Sequence, residues 1–418
     1  MSDFGISRRE FLVGAAAATA LVFTAEELLA AEGATEEAVT GPPVKFGVVG
    51  LGQWGKEIVA SLAKMPSAQV TAICDSYEKF LTKAKELAPG AASFTDYRQL
   101  LASPDVEAVV VATPSHLHKE IALEAIQAGK HVYVEAPLAH SVEDARAIAL
   151  AGQGSTKVFQ VGVQGRSNAM YKHVARFVKT GVLGDKAQAF AQDNKKESWK
   201  RMAPTSEREA ELNWRLSKAT SPGLPGEEGI HRIDLANWYM DALPVSVTGF
   251  GSIQAWNDGR DVPDTVHVVL EYPGKVRMIY MATLASSFSN TYSLFQGNNA
   301  SLALREKKGW LVKEADSALL GWEVYAHKEE CFGETGICMV ADATKILQAG
   351  KEPGAEGSHT KEAVYLALEN FTRSIREEMK PACGVLEGYQ ATVTALKANE
   401  ATLSGTRIAF EPSWFELK

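Results

Sequence analysis

The sequence predicts an α/β domain with a doubly wound parallel sheet. An α+β domain with an open-faced, largely antiparallel sheet is predicted to follow. Three observations carry this. Gly50, Gly52 and Gly55 sit between a short apolar run and a helical pattern. Apolar runs then alternate with helical stretches to about residue 165. Beyond Arg166 the pattern changes to stretches of period-two alternation.

Val44–Val49 (VKFGVV) reads as a strand buried on both faces. The glycines follow at the spacing G-x-G-x-x-G, with Gln53 and Trp54 inside the fingerprint. Gly50 permits a tight turn, Gly52 lets a pyrophosphate approach the backbone, and Gly55 lets the helix pack against the strand. Lys56–Lys64 reads as that helix, and its N-terminus offers free N–H groups to phosphate. A second strand, Gln69–Cys74, ends in Asp75, 20 residues beyond Gly55. An acid there accepts hydrogen bonds from the adenosine ribose and repels a 2′-phosphate, which favours NAD over NADP.

The α/β alternation continues after Asp75. Helices are expected at Tyr77–Leu87, Tyr97–Ala102, His116–Ala128 and Val142–Gly152, with strand character at Phe94, Ala108–Ala112, His131–Val134 and Val158–Val163. In the second domain Ala169–Thr180 and Gly229–Met240 read as helices, and Ala187–Gln192 as a strand. Val245–Trp256, Thr265–Tyr272, Val276–Ala285 and Tyr292–Gln296 alternate as strands of a sheet covered on one face. Helices return at Glu362–Lys380 and Gly388–Ser404. The expected division is a signal at 1–31, a linker at 32–43, the nucleotide domain at 44–165 and the second domain at 166–418, whose C-terminal helix can pack back on the first.

A chain of 418 residues accommodates two such cores, and its net charge of −8 argues against a nucleic-acid partner. Cys74, Cys331, Cys338 and Cys383 form neither a disulfide framework nor a zinc spacing, so no metal is expected; only Cys331 and Cys338 are open to pairing, if the protein is exported. Ser7-Arg8-Arg9-Glu10-Phe11-Leu12, followed by the Ala-rich stretch Leu12–Ala25, matches a twin-arginine signal. The expectation is a periplasmic or otherwise exported protein, handled by the twin-arginine machinery, with cleavage near Ala30–Ala31 or an uncleaved anchor as the alternative.

Several motifs in order make the chain similar to the Gfo/Idh/MocA oxidoreductases: GVVGLGQWG, ATPSHLH (Ala112–His118), GKHVYVEAPLAHS (Gly129–Ser141), VGVQGR (Val161–Arg166) and EEGIHRIDLANW (Glu227–Trp238). The resemblance implies NAD or NADP, a sugar or cyclitol substrate, and homo-oligomers, dimers or tetramers, formed through the open sheet. It places Thr113, Pro114, Ser115 and His118 at the cofactor and Glu135 near the nicotinamide ribose. Arg166, Trp214 and Arg215 fall where cofactor or substrate contacts occur in this family. Two departures stand out. The usual Glu-Lys-Pro reads Glu135-Ala136-Pro137, and the usual Asp-x-Gly-x-His begins with Glu227, four residues before His231.

Oxidising a secondary alcohol requires a base for its proton. His231 is the expected base, with Glu227 on the same helical face as its orienting partner or second acid–base group; the alternatives are a structural histidine paired to Asp234 and a solvated carboxylate. Asp234 is also a substrate-side candidate. Lys195, Lys196, Tyr171 and Lys172 are candidates to replace the missing lysine. Export implies a cofactor retained through the cycle, serving either two-substrate oxidoreduction or transient oxidation within a redox-neutral glycosidase or lyase cycle. Non-catalytic binding of a sugar or nucleotide is the remaining alternative.

Overall fold

The computed structural model describes residues 39–305, 308–340 and 361–418. The signal segment and most of the linker lie outside them. Six parallel strands form the first sheet: β1 (Val44–Val49), β2 (Ala68–Cys74), β3 (Ala92–Phe94), β4 (Ala108–Val111), β5 (His131–Glu135) and β6 (Phe159–Gly162), in the order β3-β2-β1-β4-β5-β6. All four residues of β4 are buried because crossover helices cover both faces. The helices are α1 (Gln53–Ala63), α2 (Glu78–Leu87), α3 (Tyr97–Ala102), α4 (His118–Gln127) and α5 (Val142–Gln153). Strand order reverses between β1 and β4, so a crevice opens at their C-terminal ends.

The first helix starts earlier than its pattern suggested. It begins at Gln53, directly after Gly52, so Gln53, Trp54 and Gly55 form its first turn. Glycine is a poor helix former, which hid this turn from a propensity reading. The α5 start is set by Ser141, whose hydroxyl accepts from the Asp144 N–H at 3.2 Å, a cap worth about 1 kcal/mol.

Among the described residues the second sheet has ten strands. They are β7 (Lys186–Asn194), β8 (Ser246–Ser252), β9 (Thr265–Glu271), β10 (Arg277–Thr283), β11 (Thr291–Gly297), β12 (Ala300–Arg305), β13 (Lys308–Lys313), β14 (Lys328–Cys331), β15 (Glu334–Cys338) and β16 (Ile408–Ala409). Their order is β14-β15-β13-β12-β11-β7-β10-β9-β8-β16, antiparallel throughout except for β7 beside β10. Strands β12 to β15 continue past the last alternating stretch read from sequence. The hairpin KEEC/ETGIC is defined by pairing to its neighbours, not by a hydrophobic pattern. Cys331 opposes Glu334 across that hairpin and both Cys331 and Cys338 are free thiols, so the optional bridge is not formed.

One face of this sheet, with Val266, Val268, Leu270, Met278 and Tyr280, is buried. Helices α6 (Ala169–Lys179), α8 (Ile230–Met240) and α10 (Val385–Ser404) pack against this domain's strands. The other face leaves Phe250 and Ile279 exposed. Two C-terminal helices return to the first domain. Helix α9 (Ala363–Arg376) sets Phe371 6.1 Å from Phe46 and 5.7 Å from Tyr133, so it completes the nucleotide-domain core despite its place in sequence. Helix α10 packs on β6 and α5, and its buried Thr392 hydroxyl accepts from the Leu138 N–H at 3.1 Å.

The α10 approach requires Gly388. A Cβ there would lie 2.3 Å from Cγ2 of Val161. Gly388→Ala is expected to destabilise the fold by about 1–3 kcal/mol through overpacking, read as a lower denaturant midpoint; an unchanged midpoint would show that the helix can move away.

Candidate active site

The glycine turn forms a cradle. Gly50 has φ +92°, and a Cβ would meet the Ala112 carbonyl carbon at 2.6 Å, while a Cβ on Gly55 would lie 1.9 Å from the Gly50 oxygen. Gly52 instead faces space with nothing within 4 Å of where its Cβ would stand, which is the room a pyrophosphate needs. Asp75 braces this turn: its Oδ2 accepts from the Leu51 N–H at 2.7 Å and its Oδ1 from the Tyr77 N–H at 2.8 Å. Burial raises its pKa above the ordinary value, opposed by those two N–H groups and the charge of Arg208. Each carboxylate oxygen keeps a lone pair for a ribose hydroxyl. These residues fit a dinucleotide.

The opposite wall comes from the loops after β4 and β5. His118 lies behind this wall and not on it. Its ring is 1% exposed, with Nε2 2.8 Å from the Thr113 oxygen and Nδ1 3.0 Å from the Pro137 oxygen, so it ties the two loops together. Glu135 is buried under the cleft; Gln164 donates to its oxygens at 3.0 and 3.3 Å and the Trp54 indole bonds to it as well. Burial nevertheless lifts its pKa to about 7. The Ala136-Pro137 peptide is cis.

Ser115 crosses to the second domain. Its hydroxyl donates to Glu227 Oε1 at 2.9 Å, while Arg215 Nε donates to Oε2 at 2.7 Å. Glu227 is therefore not the orienting partner of His231. Residues 225–229 form a π turn that aims this carboxylate at Ser115. Arg215 lies over Trp214, 4.6 Å from its centroid, and 5.9 Å from that of Trp199, and the Trp214 ring is 5.9 Å from that of His116.

His231 occupies the first turn of α8, partly exposed and with no hydrogen-bond partner on its ring among the described residues. Burial, then the adjacent Arg232 charge, push its pKa down to about 4, so it is a neutral base. Beside it Lys195 reaches Glu228 at 2.8 Å. Burial disfavours the Lys195 charge, but Glu228 and the neighbouring acids outweigh it and keep the pKa above its usual value. Tyr171 hydrogen-bonds Arg232, whose Nε donates to Asp193 at 3.3 Å.

Two expected ligands are consumed elsewhere. Arg166 Nε donates to both oxygens of Asp234, at 3.0 and 2.9 Å, and its Nη2 to Oδ1 at 2.9 Å; Asp234 is 2% exposed. This buried pair joins the end of β6 to α8, so Asp234 is spent on Arg166 and not on His231, and the Nε–Nη2 edge of Arg166 is spent on Asp234. Lys196 is exposed, and Lys172 is half-buried with its pKa pushed down by burial. Sequence reasoning missed Glu228, Trp199, Arg201 and Arg208. The last three lie in a polar segment with no periodic signal, and Glu228 was overshadowed by its neighbour in the motif.

A glycine cradle with an acid beyond it, joined to a second domain that carries a neutral histidine beside a lysine–glutamate pair, defines a two-domain nicotinamide-dependent oxidoreductase. The chain belongs to the Gfo/Idh/MocA oxidoreductase family: residues 44–163 match its NAD-binding Rossmann-fold domain and residues 194–410 its C-terminal alpha/beta domain. NAD is accordingly the cofactor. The chain is 29% identical over 379 residues to an uncharacterized oxidoreductase of Streptococcus pneumoniae serotype 4, covering 89% of this chain and 97% of that protein. It is 26% identical over 349 residues to a 2,7-anhydro-N-acetylneuraminate hydratase of Mediterraneibacter gnavus, covering 83% and 87%. A levoglucosan dehydrogenase, solved with NADH and levoglucosan, superposes with a TM-score of 0.71 over 88% of this chain and 99% of that one; at 20% identity the likeness is one of fold.

The buried Glu135 predicts a pH signature. Its folded pKa of about 7 lies above its ordinary 4.5, so the charge it must carry at high pH costs stability as pH rises through that window. Glu135→Gln is expected to melt higher than wild type at pH 8, with the advantage gone at pH 4. Parallel melting curves at the two pH values would refute this.

Proposed function

We propose that the protein is an exported oxidoreductase that acts on a hydroxyl of a sugar or cyclitol and keeps NAD bound through its cycle. The observation that carries the chemistry is the pairing of a neutral His231 with a charged Lys195 held by Glu228. The His231 ring is free to take the hydroxyl proton. The Lys195 ammonium stabilises negative charge on the same oxygen, the task left open by Ala136. Glu227 holds Arg215 against Trp214, forming an aromatic and cationic wall suited to a polyhydroxylated ring. NAD, when bound, supplies the hydride acceptor and donor. The names of the hydratase relative and of the levoglucosan dehydrogenase, both of which concern sugars in anhydro form, support a carbohydrate substrate.

The export element rests on Ser7–Leu12 and its Ala-rich sequel. That route carries folded proteins, and free NAD is scarce outside the cytoplasm, so a working enzyme there retains its cofactor. Ala136 and the hydratase relative also favour a second reading, in which the substrate is transiently oxidised and the net reaction is redox-neutral.

Denaturing the purified protein and assaying NAD(H) tests cofactor capture: near-stoichiometric NAD(H) is expected, and an empty protein that fails to bind added NAD would sink the oxidoreductase reading. With the cofactor loaded, His231→Asn is expected to slow turnover of sugars by roughly 10²–10⁴-fold, and Lys195→Met to slow it to a similar degree, with NAD retention unchanged in both. Wild-type rates in both variants would remove these residues from the mechanism. Product analysis separates the two cycles, because an oxidised sugar accumulates only in the first.

The same proposal includes a homo-oligomer formed through the uncovered sheet face. Phe250 is 63% and Ile279 40% exposed there, and a second copy presenting the same face buries both sets. The double variant F250D/I279D is expected to elute as a smaller species in light-scattering chromatography; an unchanged mass would place the interface elsewhere.

A further inference from the structure

The segment after β7 leaves the second domain and reaches the nucleotide domain at two points that bracket the glycine cradle. Arg201 Nη2 donates to Gln53 Oε1 at 3.2 Å, in the first turn of α1. Further on, the guanidinium of Arg208 lies over the Tyr77 ring, 4.6 Å from its centroid. Tyr77 is the residue whose N–H binds Asp75, so Arg208 stands at the ribose end of the cleft. Between these points the segment is self-braced. The Asn213 side chain accepts from the Arg201 N–H at 2.7 Å and donates to the Arg201 and Glu209 carbonyls at 3.1 and 3.0 Å. Its short helix, α7 (Ser206–Leu212), buries no residue, and Met202, ahead of that helix, is 99% exposed. Trp199 anchors the base of this strap in the core, but residues 200–213 bury no apolar side chain, and among the described residues they meet the nucleotide domain through the polar and cation–π contacts just given, which are individually weak.

One donor in the strap lacks a partner: Nε of Arg208 is buried and makes no hydrogen bond, although its Nη1 is paired with Glu211. A buried N–H without an acceptor costs free energy unless a ligand supplies one. Ribose hydroxyls and adenine nitrogens are the acceptors that arrive beside Asp75 when a dinucleotide occupies the cradle.

We propose that Arg208 and Tyr77 clamp the adenosine half of NAD, and that the strap from Lys200 to Asn213 closes over it as a latch donated by the substrate domain. This rests on the captive-cofactor reading above and supplies its structural cause. The ligand class is an adenosine with an unmodified 2′-hydroxyl, since Asp75 faces the same end of the site.

The test measures release of bound NADH, chased with excess NAD and followed by nicotinamide fluorescence, in the full-length mature protein. A second readout is the rate of tryptic cleavage at Lys200, Arg201 and Arg208. Wild type is expected to release NADH slowly, and NADH to protect the strap from trypsin. Arg208→Ala is expected to release NADH at least about tenfold faster, with an unchanged melting temperature in the absence of cofactor. Arg208→Lys, which keeps the charge and loses the planar fork, is expected to fall near Arg208→Ala. If wild type retains NADH and Arg208→Ala releases it at the same rate, the clamp is overturned while cofactor capture stands. If wild type releases NADH quickly but NADH still protects the strap and Arg208→Ala weakens binding, the clamp stands and capture falls. Fast release with no protection overturns both.

Discussion

The geometry of the site depends on one buried hydrogen bond between domains, from the Ser115 hydroxyl to Glu227. Ser115 is 4% exposed and the Glu227 side chain 6%, so the bond is made out of water, and Arg215 supplies the counter-charge that makes burying the carboxylate tolerable. Such a bond to a charged acceptor is worth about 1.5–3 kcal/mol, but its main consequence is placement. It docks the π turn that opens α8 onto the loop after β4, which is one wall of the nucleotide cleft. The next residue, Glu228, turns to Lys195, and His231 follows in the first turn of the helix. Breaking the helical repeat at this point lets adjacent carboxylates serve different partners.

Around that junction the polar groups divide into scaffold and chemistry. Arg166 with Asp234, and Arg232 with Asp193, are deeply placed pairs whose charges satisfy one another. Desolvation offsets much of their attraction, so their contribution is to orientation more than to stability. They hold α8 against β6 and β7 respectively. What they leave unpaired is the chemically useful remainder: a neutral imidazole, an ammonium tethered by a single carboxylate, and a guanidinium edge above an aromatic wall. His118 has a comparable supporting role for the nucleotide domain, where it fixes the two loops that face these groups.

Much of the nucleotide domain was legible in the sequence because its signals are local. A strand buried on both faces must be apolar throughout, a pyrophosphate turn must lack side chains, and an acid at the end of the second strand must stand within reach of the ribose. The substrate side was read less well. Glu227 and His231 share a helical spacing, and only the π turn and the competing partners Ser115 and Arg215 separate them. Asp234 has the sequence context of a site residue, yet sits against Arg166, which is 68 residues away in the chain. Strands β12 and β13 carry no clear alternation because both of their faces are covered: Leu302 and Leu304 join the main core, and Ala303 and Trp310 pack with Cys331 on the other side.

The sequence by itself determined the two-domain architecture, the family and the dinucleotide cradle, because hydrophobic periodicity and glycine spacing act over a few residues. Tertiary structure alone decided which charges are spent on one another and which remain for a ligand. It also decided that α9 serves the first domain and that the polar strap reaches back to Tyr77. Those outcomes depend on distances between segments far apart in the chain, and on the cost of burying a charge without a partner, neither of which a local pattern records.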